Sequence, residues 1–580
     1  MASHQASRAR TVASVLILVT AALTAVAAVR YVRSSGSSRF RGSPETLVAS
    51  LRAAPRSFNR YVARDLSTTV LTYLLHGSLV RINHVTSELE PELAERWELL
   101  PDRRTYRLRL RTGLRFSDGA PFSADDVVFS FRAIYDRATD SVLADTLQVA
   151  GQPLGVTAED ATTVAIRFPA EFGPGLRMLD GVPIYPRHRL EAALKAGTFR
   201  SAWSLSTPAS DMAGLGPFML RSYEPGQRLT LDRNPYFRRS DGEPAKIAHV
   251  VLDVVPDQDA ELLALESGAI DVTQSELRPF DIPALKRAAG SGRVVVSDAG
   301  VGLDGDLLWF NLTPAKGHDP RSRWLQHRDF RRALAHAVDR TAFVDTVYLG
   351  EGVPADSIIS PGNRAWHALA PPPEYNIVSA NRLLASLGLL DRTRDGTLED
   401  DRGNTVTFTL LTQKGNTSLE RGAAAVRDSL ARVGVHVDVV ALEVGAVIEH
   451  IMRGDYDAAY FRLLATDTDP ALNLDFWLSS GSAHMWNPGQ DAPATPWEAE
   501  IDALMNQMST MLEHDRRRQR FADVQRIMAR ELPVVCFAFP RLPIAVSARV
   551  VDATPAPFRP PVLWNPAAIS LKPKEESEVK

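Results

Sequence analysis

The sequence predicts an α/β fold with both parallel and antiparallel strands, and three observations carry that expectation. Tyr106, Leu108 and Leu110 alternate with Arg107, Arg109 and Arg111, the period of two of a half-buried antiparallel strand. Ser117-Asp118-Gly119 supplies a turn. Ser123 then stands three residues before Asp126, an N-cap with an acidic first turn ahead of the apolar Val127, Val128, Phe129 and Phe131. From Glu45 onward, strand-like and helix-like segments alternate without an internal repeat.

Taken in order, the chain begins with residues 11–29, 19 positions without a charge, preceded by Arg8 and Arg10 and followed by Arg30 and Arg33. That length approaches the ~20 residues that span a bilayer and exceeds the ~7–15 of a signal-peptide apolar region. Ala25-Val26-Ala27 nevertheless fits a small-x-small cleavage pattern, so a retained anchor and a cleaved signal both stand. Arg30, Arg33, Arg39 and Arg41 outnumber the basic residues before the run, which by charge bias alone argues against an outward-facing main domain. Residues 34–43, rich in Ser, Gly and Arg, read as a flexible tether. Residues 163–168 form a short alternating strand, and 212–220 with 221–233 read as two strands with a turn at Pro225-Gly226. Residues 249–255 are a strand and 260–267 a short helix. The tail, 572–580, is too charged to pack.

A chain of 580 residues holds roughly three or four domain-sized units. Its 45% apolar and 23% charged residues and net charge of −3 are those of a soluble globular protein, with no basic excess to suggest nucleic acid. Of 66 basic residues, 8 are Lys and 58 Arg, spread along the whole chain, which points to a compositional bias rather than an arginine-rich site. The single cysteine excludes an intrachain disulfide and a Cys-cluster metal site, and Cys536 sits in the apolar run Val534-Val535-Cys536-Phe537, where a buried, inert thiol is expected. His-Glu-x-x-His, Gly-x-Ser-x-Gly and the phosphate-cradling Gly-x-x-x-x-Gly-Lys-Ser/Thr spacing are all absent.

Residues 91–131, PELAERWELLPDRRTYRLRLRTGLRFSDGAPFSADDVVFSF, resemble the LRxGxxFxDGxPxxAxDVxxS stretch of solute-binding proteins of the dipeptide, oligopeptide and nickel uptake family. The resemblance recurs in order at Gly214-Leu215-Gly216-Pro217-Phe218, Tyr223-Glu224-Pro225-Gly226, Arg233-Asn234-Pro235-Tyr236-Phe237, Gly268-Ala269-Ile270-Asp271 and Leu308-Trp309-Phe310-Asn311-Leu312. It continues at Phe330 to Arg340, Tyr375-Asn376 to Gly388, and Ala431 to Val435, so it covers roughly residues 45–570. It implies a two-lobed periplasmic-binding-protein-like clamp of the type II, large peptide-binding subclass, with an extra subdomain in lobe I. Lobe I is then expected over 45–303, lobe II over 304–531 and a return to lobe I over 532–571, with hinge crossings near 304–312 and 530–539. The implied activity is that of a monomeric, non-enzymatic receptor without cofactor or metal, which delivers a peptide-like solute to the permease of an ABC importer from outside the cytoplasmic membrane. A membrane-anchored sensor or scavenger on the same clamp, or a hydrolase with an unrecognised site, is the alternative.

For the ligand, the sequence singles out GDYDAAYFRLLATDTDPALNLDFW, residues 454–477, where a strand turns at Thr466-Asp467-Thr468-Asp469-Pro470 into a helix. In peptide-binding members of the resembled family an Asp four residues before the Pro pairs with the ligand's free amine. Here that position is Thr466, and the nearest carboxylate is Asp467. Either Asp467 substitutes after a local shift, or the ligand presents no ammonium there, or Asp467 and Asp469 only make an Asx turn and cap. Trp309 and Asn311 at the expected hinge, Trp477, Trp203 and Trp366 are aromatic or polar candidates for the cleft wall. Arg462 could fork a ligand carboxylate. Met212 to Phe218, with Phe58 and Asn59, are expected to oppose them from lobe I.

Overall fold

Two large clusters of buried side chains divide the chain, each grown on strands from distant parts of the sequence, and a smaller third one gathers Val48, Val251, Leu265 and Ala545. The computed structural model describes residues 45–313, 319–462 and 469–572. The 11–29 run, the 30–44 tether and the tail beyond 572 lie outside these residues. Among the described residues no helix is long and apolar enough to cross a membrane.

Lobe I opens with β1 (Thr46–Leu51), buried at every position, and α1 (Leu66–Leu75), whose N-cap Asp65 accepts the Thr68 N–H. β2 (Ala94–Leu99), β3 (Thr105–Leu110), β4 (Gly155–Asp160) and β5 (Thr163–Arg167) form an antiparallel sheet in the order β2-β3-β5-β4. In β3, Leu108 and Leu110 are buried and Arg107 and Arg109 are not, as the alternation implies. α2 (Ala124–Tyr135) begins at a capping box in which the Asp126 carboxylate accepts the Ser123 N–H at 2.9 Å.

β6 (Phe218–Glu224), β7 (Arg228–Arg233) and β8 (His249–Val254) join β1 in a second four-stranded sheet of order β1-β8-β7-β6, in which the β1–β8 pair is parallel and the other two pairs antiparallel. The strand expected from residue 212 starts later, at Phe218. The backbone before it is docked on the end of α1 instead: Gly216 N–H donates to the Leu75 carbonyl at 3.0 Å, and a Cβ at Gly214 would collide with that same oxygen. α3 (Gln258–Glu266) follows, capped by Asp257.

The largest sheet spans both lobes. β9 (Val294–Val301), β10 (Asp306–Phe310), β11 (Gly352–Pro354) after α4 (Arg340–Tyr348), β12 (Thr407–Gln413), β13 (His436–Leu442), β14 (Ala458–Arg462) and β15 (Val534–Ser547) run β9-β15-β10-β14-β12-β13, with β11 also on β15. α5 (Pro496–Thr510) and α6 (His514–Glu531) precede β15. The 14-residue β15 pairs with β10 through Val534 to Ala538 and with β9 through Arg541 to Ser547. Leu532 to Phe539 belong to the lobe II cluster, whereas Ile544 and Val546 belong to lobe I. The return to lobe I therefore falls near residue 540, later than the expected 532, and the first crossing lies between Val301 and Asp306. β10, expected at the hinge, is buried inside lobe II. Cys536 is buried in this strand, and burial pushes its thiol pKa upward.

Candidate functional site

Near the hinge the lobes are held together by charges. Arg462, the last residue of β14, donates from Nε to Asp306 (2.9 Å), from Nη1 to Glu276 (2.9 Å) and from Nη2 to the Tyr348 hydroxyl (2.6 Å). Burial opposes its charge, yet Tyr348, Asp306 and Glu276 outweigh that and hold the guanidinium well above the usual arginine range. Glu276 lies in lobe I, and Arg559 reaches both it and Asp304, at 3.8 and 3.2 Å.

On the other side of residues 463–468 stands Asp469. Its carboxylate is fully buried and receives both Nη groups of Arg517 in α6, at 2.7 and 2.5 Å, while capping the Ala471 N–H at 3.1 Å. The planar fork of arginine matches the carboxylate on two bonds, which is the geometry in which such pairs are strongest. Arg517 also donates to the Met508 carbonyl and lies 5.0 Å over the Trp366 ring. Lobe I meets this corner directly. Gly173 N–H donates to the Ser509 carbonyl at 2.6 Å, Leu472 packs on the lobe I cluster, and Arg103 links Glu171 to Glu513.

Lobe I adds a group of largely buried ionisable side chains beside that contact. Arg177 donates to the Ser87 carbonyl at 2.8 Å, while its Nε is buried without a partner. Burial draws its pKa down, opposed by Asp469 and Asp180. Burial pushes Glu92 up to about 8 and Asp180 up to about 6, each accepting one backbone N–H, from Ser78 and Ile82. Tyr73 and Arg60 are desolvated in the same group, Tyr73 raised and Arg60 lowered. Carboxylates and guanidiniums held this way can exchange their lost hydration for the charged ends of a ligand. None of these five was named from sequence. Glu92 does sit in the family-like PELAERW stretch, but its neighbours Asp180 and Arg177 are far away in the chain.

The residues named from sequence distribute differently. Thr466 and Asp467 lie outside the described residues. Asp469 is committed to Arg517. Arg462 has its donors taken by Asp306, Glu276 and Tyr348 and does not offer a free fork to a ligand. Trp309 is fully buried in lobe II, its ring 5.5 Å from Phe461 at 27°. The Asn311 amide donates to the Gly454 and Tyr456 carbonyls at 2.9 and 2.7 Å, tying β10 to the loop before β14. Trp477 packs edge-on against Phe476 and Phe521, and Trp366 lies under Arg517. In lobe I, Phe58 and Met212 belong to the buried cluster, and Asn59 donates to the Phe199 and Ala202 carbonyls. Trp203 stacks on His76. Of the residues named from sequence, Arg462 and Asp469 stand where the lobes meet, while Trp309, Trp477, Phe58 and Met212 are packed into the cores of their own lobes.

Among the described residues, Asp391, Asp395 and Glu399 are close enough to share a cation, in a surface loop of lobe II. Asp391 accepts the Asp395 and Gly396 N–H groups, and Glu399 accepts the Arg392 N–H and the Thr393 hydroxyl.

The profile described as bacterial extracellular solute-binding proteins, family 5 Middle, matches residues 88–484. A probable ABC transporter-binding protein of Deinococcus radiodurans is 28% identical over 400 residues, 67% of each chain. The oligopeptide-binding protein AppA of Bacillus subtilis is 24% identical over 523 residues, 87% of this chain and 89% of that one. Among solved structures, the substrate-binding protein CtaP of Listeria monocytogenes superposes with a TM-score of 0.74 at 21% identity, over 91% of this chain and 99% of that one. AppA of Bacillus subtilis in complex with a nonapeptide gives 0.69 at 24% identity, over 91% and 100%. These likenesses establish the two-lobed periplasmic-binding-protein fold with its extra subdomain.

Proposed function

The chain belongs to the bacterial extracellular solute-binding proteins of family 5, and from that premise we propose that it is the peptide receptor of an ABC importer. It acts outside the cytoplasmic membrane, by binding rather than by turnover. The solute is taken between the lobes, next to the Asp469–Arg517 corner, with lobe I presenting Arg60, Tyr73, Glu92, Arg177 and Asp180. The observation that carries this reading is the pairing of a strand-built hinge with desolvated charges of both signs on the facing wall, which suits a zwitterionic chain. The names of the curated relatives, oligopeptide- and dipeptide-binding proteins among them, support the same class.

Native mass spectrometry of protein purified without refolding tests the ligand class. Retained peptides support it, and a protein that holds only non-peptide solutes, or that consumes a peptide pool, refutes it. Loss of uptake of the retained peptide on deletion of the gene is expected if a permease is the partner.

Residues 11–29 would tether the protein to the membrane, on the ground of their 19 uncharged positions. Intact spheroplasts exposed to protease should lose the membrane-bound protein. Full protection would refute this placement.

A further inference from the structure

We propose that Gly173 is the residue that permits closure of the clamp: the absence of a side chain there is what lets lobe I seat on the α5–α6 link of lobe II. This rests on reading the chain as a receptor that closes on its solute.

Gly173 lies in lobe I between Phe172 and Leu176, both in the lobe I core. Its N–H crosses to the Ser509 carbonyl, at the C-terminal end of α5. A Cβ at Gly173 would lie 2.5 Å from Arg517 Nε and 2.8 Å from Cζ, and closer still to the Met511 carbonyl oxygen. All three atoms belong to lobe II. None of them can yield cheaply, because the Met511 oxygen is backbone and the Arg517 guanidinium is pinned by Asp469 and the Met508 carbonyl. Gly173 is not in the left-handed region, so a side chain brings no backbone strain of its own. The obstruction exists only while the lobes touch.

Two linkages follow. Arg517 contacts the lobe that arrives and also holds Asp469, the first described residue after the 463–468 segment. Closure and the placement of Asp469 therefore share one guanidinium. A side chain at Gly173 lowers the closed population and with it the apparent affinity, in proportion, without touching solute.

The test uses the full-length protein in a Cys536→Ser background, with nitroxides on Glu95→Cys of lobe I and Arg518→Cys of lobe II, both exposed. Distances are read by double electron–electron resonance with and without a tryptic casein digest. Wild type is expected to show a short-distance population that Gly173→Val abolishes under both conditions. Gly290→Ala, where a Cβ meets nothing within 4 Å, keeps it. An unchanged thermal transition for Gly173→Val separates a held-open clamp from an unfolded one. Should that variant unfold, Gly173→Ala is read in its place. A Gly173 variant that retains the short distance overturns the proposal, as does a wild type that lacks it in both conditions. Failure to retain any peptide would count against the ligand class, while the distances without digest address Gly173 alone.

Discussion

Arg462 Nη1 lies 2.9 Å from Glu276 Oε1, so one guanidinium fastens the last residue of a lobe II strand to lobe I. The same side chain neutralises Asp306, which has no exposure of its own. These two bonds differ in weight, because one partner is buried and the other is about a third exposed.

Arg462→Met should therefore destabilise the protein by about 3–5 kcal/mol, the cost of leaving a buried carboxylate without its cation. Glu276→Gln should cost less than about 1 kcal/mol, as for other solvent-screened pairs. Urea unfolding of both variants checks the contrast, and equal losses would contradict it.

Asp469→Asn keeps an oxygen for the Ala471 N–H but removes the charge facing Arg517. If Asp469 were only a turn residue, the change would be nearly neutral. The bidentate pair instead predicts a loss of about 3 kcal/mol or more, seen as a lower denaturation midpoint.

Asn311→Ala should lower stability by about 1–3 kcal/mol while leaving the affinity for a retained peptide unchanged, since the amide serves the Gly454 and Tyr456 carbonyls. Calorimetric titration beside chemical unfolding separates the two. A variant with intact stability and lost affinity would return Asn311 to the cleft wall.

Glu92 has a folded pKa of about 8 against an ordinary 4.5. Between those values the folded state binds more protons than the unfolded one, so this contribution to stability is full below about pH 4.5 and is lost as pH rises through 8. Asp180 acts in the same direction over a lower window, up to about 6. Glu92→Gln should flatten the fall of the unfolding midpoint between pH 5 and 9 and be more stable than wild type at the alkaline end.

Local chemistry was readable from sequence wherever the determinant was local. The Ser123–Asp126 box, the β3 alternation and the Pro225-Gly226 turn each need only a few neighbouring residues. The lobe boundary in β15 was not readable, because Val534 to Ser547 is one continuous strand and nothing in it marks where its partner changes from β10 to β9. Arg517 sits among Arg516 and Arg518, which hide it. Its spacing from Phe521, Val524 and Met528 nevertheless puts it on the buried stripe of α6, a charge on a core face that could have been noticed. Glu92, Arg177 and Asp180 meet only after folding, so no window of sequence contains them.

Because β15 is laddered on both sides of the lobe boundary, the two lobes turn on an axle rather than on a slack cord. Relative rotation has to appear as twist within the strand, concentrated where the ladder changes hands. Pro540 stands at that point and has no N–H to give, while its carbonyl takes the Gly302 N–H at 2.7 Å from the other crossing. The joint is thus thinned by one bond yet keyed to its neighbour. A joint of that kind gives way to torsion more readily than to shear or lateral sliding.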